Sequence, residues 1–229
     1  MDETVARCRA LIGELQPVQH VVLNAGKCVL MQDEPDVRAI VARCEVINAD
    51  GQSVVWAARF LGLGVPERVA GIDLMGRLIG LCESEGWAVY LLGAKDDVLA
   101  AFEAEALRRH PRLRVAGRRN GYFGADQEDG IAEAIRESGA RLLLVGISSP
   151  MKERFLARNM ERLGPLLAMG VGGSFDVWAG KATRAPLWMQ RVGLEWFYRF
   201  AQEPRRMWKR YLVGNLRFAW IVLRARFSG

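Results

Sequence analysis

Six short apolar runs alternate with longer stretches of helical period through the first 180 residues of this 229-residue chain. The runs occupy 20–24, 44–48, 87–92, 113–116, 141–145 and 166–169, and the helical stretches between them occupy 35–43, 52–61, 73–85, 96–110, 127–138 and 152–163. Strands that are apolar throughout, rather than in alternation, must be covered on both faces, which an all-parallel sheet with crossover helices achieves. The expected fold is therefore α/β: a Rossmann-like, mostly parallel sheet with helices on both faces. Each run ends on Asn or is followed by Gly, with Ser or Asp often close behind. In such a sheet the ligand crevice lies beyond the carboxyl ends of the strands, so these post-strand residues are the candidate site.

After about residue 181 the strand signal stops. Residues 184–229 hold ten Lys/Arg against Glu195 and Glu203, a net +8, whereas the first 183 residues carry 22 basic and 24 acidic side chains, or −2. The overall +6 thus belongs to an appendage that favours an anionic partner. Ten of the chain's twenty aromatic residues also lie beyond position 187, among them Trp188, Trp196, Trp208 and Trp220. Aromatic rings with arginines suit a lipid interface better than nucleic acid, which needs only charge. Pro186 and Pro204 are placed to open helices. The division expected is 1–183 as a catalytic core and 184–229 as a helical, membrane-associating appendage. Its apolar surface needs a cover, and the core, a second copy in a homo-oligomer and lipid all remain open.

Cys8, Cys28, Cys44 and Cys82 form no CxxC pair, and only His20 and His110 could join them, so no zinc-ligand spacing exists. The opening Met1-Asp2-Glu3 lacks the basic and apolar regions of a secretory signal. The best apolar stretch, 212–223, is interrupted by Asn215 and Arg217 and is too short to span a bilayer. A cytoplasmic location with reduced thiols is expected.

Four segments carry candidate chemistry. Asn48-Ala49-Asp50-Gly51 joins a strand to a helix, so Asp50 is either a helix N-cap or a catalytic carboxylate at the sheet edge. Leu92-Gly93-Ala94-Lys95 is a glycine turn with a cation, suited to a phosphate oxygen or simply to a β-to-α turn, and it is no Walker A loop. Gly146-Ile147-Ser148-Ser149-Pro150 repeats the arrangement with hydroxyls, where Ser149 can also serve as a cap. The run Gly170-Val171-Gly172-Gly173-Ser174-Phe175-Asp176 permits close backbone approach to a ligand, with Asp176 able to accept from ribose hydroxyls. The first strand ends Asn24-Ala25-Gly26 and lacks GxGxxG, which disfavours nicotinamide chemistry.

Taken together, Asn48-Ala49-Asp50-Gly51, the run from Pro66 to Met75, Gly121-Tyr122-Phe123, the glycine run from Gly170 to Asp176, Arg184-Ala185-Pro186, Gly193 to Arg199, and Glu203-Pro204-Arg205-Arg206 resemble the WecG/TagA/CpsF bacterial glycosyltransferases, family twenty-six. The resemblance covers nearly the whole chain, in order. It implies inverting transfer from a UDP-sugar to an undecaprenyl-diphosphate-linked sugar at the cytoplasmic face of the inner membrane. Within it Asp50 matches the general base, Asn24 a substrate-positioning residue and Asp176 a ribose-binding residue. Arg199 and Arg206 match tail arginines that stabilise departing UDP, with Lys209 or Arg210 as a third. Gly51, Gly93, Lys95, Ser149, Lys152, Gly172, Gly173 and Ser174 complete the expected substrate-binding set.

The chain departs from the family pattern in three places. It begins inside the family's first helix, Val22 stands where many members carry Thr, and Ser149-Pro150-Met151-Lys152-Glu153 replaces Ala-Pro-Lys-Gln-Glu. Its 27 Arg against five Lys, with abundant Ala and Gly, suit a high-GC bacterium and exopolysaccharide assembly. That leans toward a xanthan-type β-1,4-glucosyltransferase using UDP-glucose over transfer of N-acetylmannosamine or its uronate. No metal cofactor is expected, because the chain has no DxD pair. A binding module for membrane surfaces without chemistry is the competing class, and nucleic acid is not an expected partner.

Overall fold

The structure, a computed structural model, describes residues 1–202, 204–208 and 212–227, with the backbone alone at Arg206 and Met207. Six strands, β1 (Val18–Leu23), β2 (Val46–Ala49), β3 (Ala88–Gly93), β4 (Arg114–Arg119), β5 (Leu142–Gly146) and β6 (Leu167–Gly170), form one all-parallel sheet in the order β2-β1-β6-β5-β3-β4. The α/β, Rossmann-like expectation holds, and all six apolar runs are strands. β4 extends three residues beyond its apolar run, through Gly117, Arg118 and Arg119. Arginine looks like loop there, but an edge strand tolerates it.

The helices are α1 (Asp2–Gly13), α2 (Ala25–Asp33), α3 (Pro35–Ala42), α4 (Gln52–Phe60), α5 (Gly71–Glu85), α6 (Asp96–Arg109), α7 (Glu128–Glu137), α8 (Met151–Leu163), α9 (Ser174–Trp178), α10 (Leu187–Arg191), α11 (Glu195–Gln202), α12 (Pro204–Trp208) and α13 (Gly214–Phe227). Helices α1, α2 and α9 lie outside the stretches that periodicity picked out, and α2 shows why. Gly26 and Lys27 stand in its first turn, and what starts it is a cap: the Lys27 N–H donates to Asn24 Oδ1 at 3.0 Å. Pro186 is the N-cap of α10 and Pro204 begins α12, as the sequence suggested.

Contacts divide the chain into two units. The first comprises residues 1–21, 40–47 and 71–182. Its centre is β3, β5 and β6, paired Val89 to Leu142 and Leu142 to Leu167, and Leu142, Leu143, Leu144 and Val145 are wholly buried. Helices α7 and α8 cover one set of these side chains through Ile131, Ile135, Phe155 and Leu163. Four fully buried residues of α5, Leu74, Met75, Leu78 and Ile79, add to the same unit's core. Burying each such side chain contributes about 1.5–3 kcal/mol, which is why the runs are continuous in Leu and Val.

The second unit comprises residues 22–39, 48–70 and 183–229. Its packing is lighter: Phe218 of α13 enters a cluster with Ala25 and Val29 of α2, flanked by Val54, Ala57, Ile221 and Val222. A paired guanidinium and carboxylate, Arg217 and Asp33, ties the same two helices at 2.5 and 2.8 Å.

Candidate functional site

In the first unit three of the strand-end glycines make room for close neighbours. A Cβ at Gly93, whose φ is +122°, would stand 2.5 Å from the carbonyl carbon of Gly146, and one at Gly146 would stand 2.5 Å from the Phe175 ring. Phe175 is fully buried against Phe102, ring centroids 4.6 Å apart, and so pins the neighbouring Ser174 and Asp176 beside the end of β5. The Asp176 carbonyl accepts the Lys181 and Ala182 N–H groups at 2.8 and 3.1 Å, which fixes its backbone from the other side. Gly172 differs: its φ is +52° and nothing lies within 4 Å of where a Cβ would be. Its missing side chain leaves open space into which a ligand can come.

Lys95, at the N-cap of α6, is exposed, and Asp96 and Asp97 follow in the first helical turn. Those carboxylates already complement the helix's positive end, so a phosphate at this turn would share it with them. The loop after β4 folds over the same turn: the Gly121 N–H donates to the Ala94 carbonyl at 3.0 Å, and the Asn120 amide donates to Asp96 at 3.0 Å. Between Gly121 and Phe123, which packs edge-on to Phe155, the Tyr122 ring is 69% exposed. An open ring on a pinned backbone is suited to stacking against a planar base.

Ser149 stands one residue ahead of the N-cap position of α8, Pro150. Its hydroxyl donates to Glu153 Oε1 at 3.1 Å and accepts from Lys152 Nζ at 2.8 Å, while the ammonium lies 3.3 Å from the same carboxylate oxygen. Glu153 is 1% exposed, and a carboxylate so deeply buried requires a cation and hydrogen bonds around it. Lys152 is therefore held in place, its stem crossing Gly170 at the end of β6. The structure thus brings Gly93, Ser149, Lys152, Ser174 and Asp176 to the ends of β3, β5 and β6.

In the second unit, Asp50 follows β2, and its N–H donates to the Leu23 carbonyl at 2.8 Å. The N-cap position of α4 is Gly51, so Asp50 stands one residue ahead of the helix. Gly51 lies alongside Asn24: a Cβ there would stand 3.5 Å from the Asn24 Cβ. Asn24, Asp50 and Gly51 are thus brought together, with Asn24 Oδ1 engaged at the start of α2. The Val69 N–H donates to the Ala49 carbonyl at 2.8 Å, which places Arg68 next to the strand end that carries Asp50. Arg68 donates to the Gln190 carbonyl at 3.0 Å and to Glu195 at 2.8 Å. Sequence reasoning quoted Arg68 within a motif without giving it a role. The partner that defines it is 127 residues away, and no local pattern reports such a pair.

The appendage lies in this second unit. Arg199 is half-buried on α11, the backbone of Arg206 belongs to α12, and Arg210 lies outside the described residues. In the same appendage Leu187, Trp188, Phe197, Leu216, Trp220 and Phe227 are exposed. Among the described residues no helix is long and apolar enough to cross a membrane, and no three His, Cys, Asp or Glu side chains gather as they would around a metal ion.

Compared with known protein families, residues 1–229 match one described as the glycosyl transferase WecG/TagA/CpsF family.

Proposed function

The chain belongs to the WecG/TagA/CpsF family of glycosyl transferases, enzymes of cell-surface polysaccharide synthesis, and on that footing we propose that it carries out inverting transfer from a UDP-sugar to a lipid-diphosphate-linked sugar. The observation that carries the reading is the position of Asp50: a half-buried carboxylate after β2, its backbone fixed by the Leu23 carbonyl, with Asn24 beside the next residue, Gly51. Inversion needs one base and no protein nucleophile. The acceptor hydroxyl oxygen attacks the anomeric carbon, its proton passes to the Asp50 carboxylate, and the bond to the diphosphate breaks with its electron pair leaving on UDP.

The remaining roles follow from chemistry. Asn24 and Gly51 line the acceptor side, while Gly93, Lys95, Ser149, Lys152, Gly172, Gly173, Ser174 and Asp176 serve the donor. Arg199, with Arg206 and Arg210, meets the charge that develops on UDP, since guanidinium groups pair well with phosphate oxygens. The exposed aromatic and basic surface of the appendage supports docking on the anionic cytoplasmic face of the inner membrane, where a lipid-linked acceptor resides. The reading needs no metal, and activity survives a chelator. UDP-glucose and exopolysaccharide are the preferred donor and product on the composition of the chain.

The test is Asp50→Asn in the full chain. Turnover with UDP-glucose and a polyprenyl-diphosphate-linked acceptor falls by about 10²–10⁴, while UDP binding by calorimetry is unchanged. Undiminished turnover removes Asp50 from the reaction.

A further inference from the structure

Two arginines, one 127 residues away in sequence and one eleven, meet at one carboxylate in the second unit. Glu195, in the first turn of α11, accepts Arg68 Nη2 on Oε2 at 2.8 Å and Arg184 Nε on Oε1 at 3.0 Å. The side chains are 14%, 21% and 28% exposed for Arg68, Arg184 and Glu195, well below an ordinary surface ion pair. One guanidinium on each oxygen fixes the carboxylate in its plane as well as in place, and charge-assisted bonds of this kind are the strong, directional ones. The other half of Arg68 is bound too, by the Gln190 carbonyl at 3.0 Å, and Gln190 in turn donates to the Ala185 carbonyl at 2.6 Å. The α10–α11 corner is therefore held from both sides.

What it is held to is the backbone around Asp50. Arg68 precedes Val69, whose N–H bonds the Ala49 carbonyl, one residue before Asp50. At the same corner Gly193, with φ +75°, sits so close to Gln52 that a Cβ would stand 2.9 Å from its Cβ, and Gln52 is two residues after Asp50. Along α11, Arg199 follows Glu195 by four residues and so shares its face one turn on. The contacts run from Asp50 through Ala49, Val69, Arg68 and Glu195 to Arg199.

We infer that Glu195 is a positioning residue for the transfer reaction: by clamping Arg68 and Arg184 it sets α11, and with it Arg199, in register with Asp50. The inference rests on the roles proposed for Asp50 and Arg199. A carboxylate in a helix's first turn also complements the helix dipole. That role alone would be indifferent to where α11 sits relative to Asp50, and the two roles separate by experiment.

The experiment uses the full chain with Glu195→Gln, which keeps the shape and loses the charge, and Glu195→Asp, which keeps the charge on a shorter stem. Misplacement of a catalytic group by an ångström costs on the order of 10²-fold. Glu195→Gln is expected to lower kcat with UDP-glucose by about ten- to a hundredfold, with its KM within about twofold and UDP affinity unchanged. Glu195→Asp recovers part of the loss. Hydrogen exchange of the Glu195→Gln chain shows lost protection across 187–202 and none across 88–93 or 142–146. Full kcat in Glu195→Gln, or unchanged protection at 187–202, overturns the inference. Full activity in Asp50→Asn overturns the functional reading instead, and exchange at 187–202 then decides by itself whether Glu195 holds α11.

Discussion

Lys152 lies directly across Gly170: a Cβ on the glycine would stand 2.5 Å from the lysine Cε and 3.0 Å from its Cδ. The end of β6 is bare so that the stem of this lysine can pass over it and deliver the ammonium to Ser149 and Glu153.

Gly170→Ala therefore moves the lysine and spares the sheet, because the atoms that must yield belong to a flexible side chain. The melting temperature is expected to fall by no more than about 5 °C, in line with a change of about 1 kcal/mol in a chain of this size. The KM for the UDP-sugar rises severalfold, as it does in Lys152→Ala. An unchanged KM in both variants removes Lys152 from the donor site.

Gly93 and Gly172 both have positive φ, but they predict opposite outcomes on substitution by alanine. At Gly93 the new Cβ meets the Gly146 backbone at 2.5 Å, which cannot step aside, so Gly93→Ala costs more than about 3 kcal/mol in denaturant unfolding. At Gly172 the space is open and only the left-handed backbone is penalised, about 1–2 kcal/mol. Loss of UDP binding without loss of fold in Gly172→Ala identifies the glycine as one that a ligand approaches.

Burial pushes the Cys8 thiol up to about 11 and the Cys82 thiol to about 12. Both are therefore thiols, not thiolates, at neutral pH and are covered besides. Alkylation of the native chain with iodoacetamide, read by peptide mass, leaves Cys8 and Cys82 unmodified on a timescale that modifies all four cysteines in denaturant. Rapid native labelling of Cys82 contradicts the packing of α5.

The Arg217 guanidinium, hydrogen-bonded to Asp33, holds that carboxyl below its ordinary value of 3.8. A carboxylate lowered by folding contributes stability that is present above the unfolded value and lost as pH falls through the folded one. The docking of α13 on α2 is thus expected to be indifferent to pH from 5 to 8 and to weaken below about 3.8. Exchange in 214–227, corrected for the intrinsic rate, reports it, and the pH dependence disappears in Arg217→Gln. Both partners are about half-exposed, so the effect also shrinks in high salt.

How far these features were legible in the sequence depends on the range of the interaction that makes them. Five strands were readable because each is apolar on its own, and β4 only through its first half, before Gly117, Arg118 and Arg119. Helix α2 was not, since what starts it is the side chain of Asn24 and not a period of apolar residues. The Asp50 turn was found as a candidate, yet only coordinates could assign the cap to Gly51. Arg68 and Glu195 escaped altogether as a pair, because their meaning lies in each other across 127 positions.

Strand β4 closes one side of the sheet with arginines at three of its six positions, Arg114, Arg118 and Arg119. Its pairing with β3 slips at Ala116, where Val89 faces Val115 and the next residue, Tyr90, faces Gly117. A charged, kinked border is a poor template for a further strand. Self-assembly of this chain by sheet extension is accordingly closed off along β4, and of the two borders only β2 is left as a template for backbone pairing.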